Sequence, residues 1–264
     1  MSQPIKITAP IRLNDFNPDY HEGLDKEKTR DKTQKLCERI GQLQQLLYAD
    51  AEQSLVIALQ GMDTSGKDGT VKHVLDAVNP AGVETANFKA PSREEMAHDF
   101  LWRIHKALPR YGSIGVFNRS HYEDVLVVRV LKLQPSHVWR SRYEQINAFE
   151  KHLCENKITV LKFFLHISKE EQAERLKARL ADPRKNWKFD PEDLRMRAHW
   201  AKFMKAYEDA INRCSTPYAP WHIIPANRKW YRDYVVSKIV VKAMEDMNLR
   251  WPKPKFDLSK VKIQ

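Results

Sequence analysis

Gly61-Met62-Asp63-Thr64-Ser65-Gly66-Lys67 is a GxxxxGK segment, and residue types at that spacing make a phosphate cradle. The glycines let the backbone wrap an anion, the N–H groups and a following helix N-terminus face its oxygens, and Lys67 adds a point charge where a transferring group would sit. The phosphate-binding set read from the segment is Gly61, Met62, Thr64, Ser65, Gly66, Asp68, Gly69 and Thr70. Asp68 stands where a Ser or Thr usually contacts Mg²⁺, so a metal must be held otherwise. Asp63 has the hard oxygens that Mg²⁺, or Mn²⁺ in its place, prefers, directly or through water. It could also orient an acceptor oxygen, or merely stabilise the turn.

A second constellation is Asn118-Arg119-Ser120-His121-Tyr122-Glu123-Asp124. Arg119 is a planar, multi-donor cation suited to bridging donor and acceptor phosphates, with a structural ion pair as its bland alternative. Glu123 and Asp124 can fix a ribose, a base or metal-bound water, and with Lys89 and Arg93 they form the expected acceptor-nucleotide side. His121 reads as a packing or hydrogen-bonding residue, because phosphoryl transfer depends on positioning and charge neutralisation more than on a proton shuttle. A third group is Arg175, Arg179, Arg184, Lys185, Trp187 and Lys188. Glu174 to Lys205 carries ten Lys or Arg against five Asp or Glu, a net of +5. Such a run is usually a solvated face. Its position beside a P-loop edge favours a phosphate-closing lid that excludes water and supplies cations.

These groups need elements to position them. Leu55 to Leu59 is a continuous apolar run of strand length that ends at the glycine segment, and Val71, Val74, Leu75 and Val78 then mark a helix face that stops before Asn79-Pro80. Further strands are expected at 83–88, 114–117, 159–165 and 221–224, and helices at 25–48, 92–108, 137–155 and 229–247, with Ser92 and Glu95 as a capping box. Strands alternating with helices argue for an α/β fold, a P-loop-type parallel sheet with helices on both faces. The stretch 168–218 is too long for an ordinary crossover, and its Asp182-Pro183 break suggests a helical hairpin. The expected organisation is an N-terminal arm over 1–24, a kinase domain over 25–250 with a lid at about 168–218, and a tail over 251–264.

The 264 residues carry a net charge of +11, which selects anionic partners without choosing among them. No apolar run approaches the length that crosses a bilayer, and the N-terminus lacks the basic start and apolar centre of a signal peptide, so a cytoplasmic location without membrane contact is expected. Cys37, Cys154 and Cys214 are far apart in sequence and suggest neither disulfides nor a zinc site.

Four ordered segments, GMDTSGKDGT, FNRSHYEDVLVVRV, ADPRKNWKF and APWHIIPANRKWYRD, together resemble the polyphosphate kinase 2 family over roughly residues 15–250. The resemblance implies a thymidylate-kinase-like fold with a lid, Mg²⁺ dependence and phosphoryl transfer between polyphosphate and adenine or guanine nucleotides, by a homo-oligomer (dimer or tetramer). Carried over by motif, Asp63 and Lys67 are catalytic loop residues, Arg119 contacts phosphate and Arg179 is the lid arginine. Asn118 joins the catalytic set, although many members have Asp there, and Asn where this chain has Glu123. The FNRSHYED form resembles the branch that accepts both nucleoside mono- and diphosphates. Two other readings stand beside it. One is an ATP-dependent nucleoside monophosphate kinase; the other is a non-catalytic nucleic-acid-binding P-loop protein, for which no recognised binding motif is present.

Overall fold

The computed structural model describes residues 5–261, so residues 1–4 of the expected arm and 262–264 of the expected tail lie outside it. In chain order the elements are α1 (Lys26–Asp50), β1 (Ser54–Gln60), α2 (Lys67–Val74), β2 (Val83–Asn87), α3 (Arg93–Met96), α4 (Trp102–Lys106), β3 (Ile114–Asn118), α5 (Glu123–Val130), α6 (Ser136–Glu155), β4 (Ile158–His166), α7 (Lys169–Ala181), α8 (Pro191–Ala198), α9 (Trp200–Cys214), β5 (Trp221–Pro225) and α10 (Lys229–Asp246). The five strands pair in parallel in the order β2-β3-β1-β4-β5.

All of β1 is buried, because both faces of the sheet are covered. Leu55, Ile57 and Leu59 enter one core with Ile114 and Val116 of β3, Leu161, Phe163 and Leu165 of β4, and residues of α1 and α10. The alternate residues Val56 and Ala58 point the other way, with Phe117 and Phe149. This is the two-residue period of a strand, and with apolar residues at both phases the run reads as continuously hydrophobic. Next to it, Tyr122, Val125 and Leu126 pack with Tyr143 and Ile146 of α6 and with Phe203, Tyr207 and Ile211 of α9.

Local chemistry explains several helix starts. Asp25 caps α1, Ser168 caps α7 and Asp190 caps α8 with Pro191 at its first turn. Three expectations need correction. The helix expected over 92–108 is two short pieces. The Ser92–Glu95 capping box is present, but Asp99 accepts from the Leu101 N–H with its side chain and from the Trp102 N–H with its backbone carbonyl, which makes a turn where the helix would continue. The α2 helix ends at Val74, short of Val78. The α5 helix follows β3 with no expectation behind it; Val125, Val127, Val128 and Val130 weaken its local signal, and burial against α6 and α9 overrides that weakness. The stretch 168–218 holds three helices and a 3-10 turn at Asn186–Lys188 instead of a hairpin. The last of these, α9, belongs to the core: Phe203, Ala206, Tyr207, Ala210, Ile211 and Cys214 are all buried at helical spacing.

The described part of the arm is tied down. The Ile7 N–H donates to Trp221 O and the Ile223 N–H to Ile5 O, so the arm pairs antiparallel with the outer edge of β5. Leu13 and Phe16 are buried beyond it. An edge strand that would otherwise present open backbone groups is thus covered.

Candidate active site

The segment between β1 and α2 lies at the carboxyl end of the central strand, where the order of connections turns from β3 to β4. Open α/β sheets form their ligand crevices there. Gly61 and Gly66 have φ values of 150° and 103°, a region that side chains disfavour. A Cβ on Gly66 would also lie 2.0 Å from Arg232 Nη1. Lys67 is buried, and its ammonium donates to Gly61 O at 2.8 Å and Met62 O at 3.3 Å. Burial, and then the charge of Arg119, push its pKa down. An anion in the loop would reverse that tendency. The hydroxyls of Thr64 and Ser65 are buried with no hydrogen-bond partner among the described residues, and a bound oxyanion would satisfy such groups.

Arg119 directly follows β3 and faces the loop. Its Nη2 donates to Asp63 Oδ1 at 2.7 Å, and Nη1 lies 3.8 Å from Glu123 Oε2. Its backbone is left-handed, with φ 63°, a strained state for a non-glycine residue and one that collects at functional sites. Glu123 opens α5; burial raises its pKa, opposed by Arg119 and Lys67. Asn118 Nδ2 donates to Asp68 Oδ1 at 2.6 Å. Asp63, Lys67, Asp68, Asn118, Arg119 and Glu123 therefore meet around one crevice, with carboxylates and cations interleaved.

Other expected site residues lie elsewhere. Asp124 turns away from the loop to Arg142 at 3.1 Å and Arg103 at 3.5 Å. Arg142 hydrogen-bonds its Oδ1, and Arg103 stands as an ion pair beside its Oδ2. Lys89 and Arg93 are exposed and follow the carboxyl end of β2. Arg175, expected as a polymer contact, has its guanidinium engaged within the chain. Its Nε donates to Glu171, Nη1 to Thr64 O and Ser65 O, and Nη2 to Ala226 O and Asn227 O. All five N–H groups are engaged, so Arg175 holds the loop from behind. Arg179 pairs with Asp193 at 3.0 Å and donates to Lys188 O at 2.8 Å. Arg184 and Lys185 are both drawn to Asp182, whose pKa they pull down to about 2. Lys188 lies over the exposed Trp187 ring.

Residues 23–252 match the profile of the polyphosphate kinase 2 family. This chain belongs to the polyphosphate kinase 2 family. It is 46% identical over 256 residues, covering 96% of both chains, to a protein of Meiothermus ruber named AMP/ADP-polyphosphate phosphotransferase. It is 43% identical over 227 residues to an ADP-polyphosphate phosphotransferase of Rhodopseudomonas palustris, covering 81% of this chain and 78% of that one. A crystal structure of polyphosphate kinase 2 from Arthrobacter aurescens superposes with a TM-score of 0.94 at 41% identity, covering 97% of this chain and 92% of that one.

Within this polyphosphate kinase 2 site, three groups escaped sequence reasoning. Tyr207 of α9 lies close enough to Glu123, Arg119 and Asp63 to feel their charges. Its place on the apolar face of an amphipathic helix concealed it. Asp193 of α8 feels Asp63 and Arg119 across the crevice, and burial raises its pKa first of all. Only the fold brings it there. Gln172 donates to Asp63 O at 3.0 Å, a backbone contact that no side-chain pattern announces.

Proposed function

We propose that the protein transfers the terminal phosphoryl group of inorganic polyphosphate to nucleoside mono- and diphosphates, AMP to ADP and ADP to ATP, reversibly. The observation that carries this reading is the meeting of Lys67, Asp63 and Arg119 in a P-loop crevice, on a chain that shares 46% identity with an AMP/ADP-polyphosphate phosphotransferase. Lys67 and the loop N–H groups hold the donor phosphates, and Arg119 spans the transferring group. The acceptor's terminal oxygen attacks in line from the Glu123 side, and its bond to phosphorus forms as the polymer's terminal bridging P–O bond breaks. The residues 182–198, with Arg179 at their base, form the lid that shields the crevice from water.

Among the described residues no three His, Cys, Asp or Glu side chains gather as a ready-made metal site. Mg²⁺ does not require one, since it binds through one or two carboxylates plus substrate phosphates. Asp63, with Asp68 and the Asn118 amide oxygen beside it, offers the hard oxygens that fit. When bound, the ion neutralises phosphate charge. Among the described residues no helix is long and apolar enough to cross a membrane. A cytoplasmic, homo-oligomeric enzyme is part of the proposal, and the three free cysteines fit a reducing compartment.

The test is ATP formation from AMP and polyphosphate with no ATP supplied. Product under these conditions supports the reading. Turnover with ATP as the sole productive donor would point to an ordinary monophosphate kinase, and duplex or single-strand binding without turnover to a nucleic-acid-binding protein.

A further inference from the structure

Directly beneath the Arg119–Glu123 segment lies a closed polar cluster with no access to solvent. Lys162 of β4 and Glu150 of α6 form an ion pair in which both side chains are 0% exposed. The Lys162 ammonium also donates to Tyr122 Oη at 2.9 Å and to Cys214 O at 2.6 Å, so all three of its protons are used. Glu150 Oε1 accepts from Tyr122 Oη at 2.9 Å and lies 3.1 Å from His121 Nε2. The Tyr122 ring rests edge-on against Trp221, and Lys162 sits near both rings. Burial alone would raise the Glu150 pKa, but Lys162 and His121 outweigh it and hold the carboxylate below its ordinary value.

Such a pair is an expensive way to stabilise a core. Apolar residues of equal volume commonly do as well, so a buried ion pair calls for another explanation. Here its partners suggest one. Tyr122 and His121 are consecutive residues, and they lie between the strained Arg119 and Glu123. The intervening Ser120 accepts with its hydroxyl from Gln60 Nε2 at 3.2 Å and from the Tyr122 N–H at 3.3 Å. The Arg119 N–H is tied to Leu59 O at 3.0 Å. A left-handed arginine persists only where its surroundings over-determine it. The cluster anchors the chain on the far side of that residue.

We infer that Lys162, Glu150, Tyr122 and His121 form a positioning network that sets Arg119 and Glu123 against Asp63 for phosphoryl transfer. This rests on the proposed transfer reaction but adds to it. The network touches no substrate; it acts by fixing where the Arg119 guanidinium stands. Small displacements of a reacting-site group carry large kinetic penalties.

The experiment is a double-mutant cycle in turnover. Tyr122→Phe removes one hydroxyl and keeps the packed ring. We expect turnover at saturating substrates to fall about tenfold or more, with KM for AMP and polyphosphate within about twofold of wild type, as for an effect confined to the transition state. In an Arg119→Ala background the same change should alter turnover less than about twofold, because the group it positions is gone. His121→Gln keeps an N–H near the place of Nε2 and should retain turnover that His121→Ala loses. Equal losses from Tyr122→Phe in both backgrounds would overturn the inference, as would unchanged turnover in the single variant. Should Tyr122→Phe fail to fold, the His121 pair decides: equal turnover in the two variants, each with wild-type melting temperature, overturns it. Wild-type turnover with polyphosphate and AMP checks the reaction itself. If another phosphate donor proves to be the substrate, the cycle is run with that donor, and the two ideas fail separately.

Discussion

At the residue scale, the crevice couples cations to carboxylates in pairs, and removing one member leaves the other misplaced. Lys67→Ala and Asp63→Ala should each lower turnover by about 10²–10³-fold, the scale of losing one transition-state electrostatic contact. Their melting temperatures should stay much closer to wild type. Assays on variants with native circular dichroism check this, and near-wild-type rates in either would remove the loop from the mechanism. Glu123 is a finer test. It stands 3.8 Å from Arg119, and on the proposed acceptor side, so Glu123→Asn should change the ratio of AMP to ADP use more than the KM for polyphosphate. A proportional fall with both acceptors would assign Glu123 to a general structural role. Asp63, Lys67 and Arg119 were legible because their types and order announce phosphate chemistry. The contacts of Asp124 and Arg175 were not legible, because a charged side chain in sequence does not reveal its partner. Arg142 lies eighteen positions from Asp124, and the carbonyls that Arg175 serves belong to distant loops.

At the element scale, the parallel strands and long helices were visible as apolar periodicity, whereas α5 and α9 were not resolved as separate elements. Both owe their place to each other and to α6. The same packing divides the basic stretch in two. Its α9 portion is core, while Arg184, Lys185, Trp187 and Lys188 are exposed. Arg179→Ala should therefore lower turnover at saturating substrate. The double change Lys185→Ala and Lys188→Ala should raise the KM for polyphosphate and largely spare turnover. That KM effect should shrink as salt rises, because exposed charges are screened beyond about 8 Å at physiological ionic strength. Identical kinetics for the double variant and wild type across a salt series would mark these lysines as solvated surface only.

At the scale of the whole molecule, the sheet edge and its covering arm carry a pH dependence. His166 donates to Phe16 O, and His222 lies on β5 beneath the arm. Burial lowers the pKa of both from 6.5 to about 4. The unfolded chain takes up these protons below about pH 6.5, and the folded chain does so only near 4. Stability contributed by the neutral imidazoles is thus complete above about pH 6.5 and declines as pH falls toward 4. Unfolding midpoints measured over that interval should drop, and the drop should be smaller in His222→Phe. An equal drop in that variant would exclude His222 as a source.

Four of the five bonds of Arg175 have a mechanical meaning. They rivet the middle of α7 to the back of the P-loop and to the segment following β5, so this part of the helix cannot travel independently of the loop. If 182–198 swings over the crevice, Arg175 is the fulcrum. The six residues beyond Arg175, ending at Ala181, then act as a lever of about 9 Å at 1.5 Å per residue. Amide exchange should show this as a gradient, slow up to Arg175 and fast beyond Asp182, with polyphosphate slowing the outer part alone. Uniform exchange along α7 and 182–198 would mean the segment moves as one body or does not move.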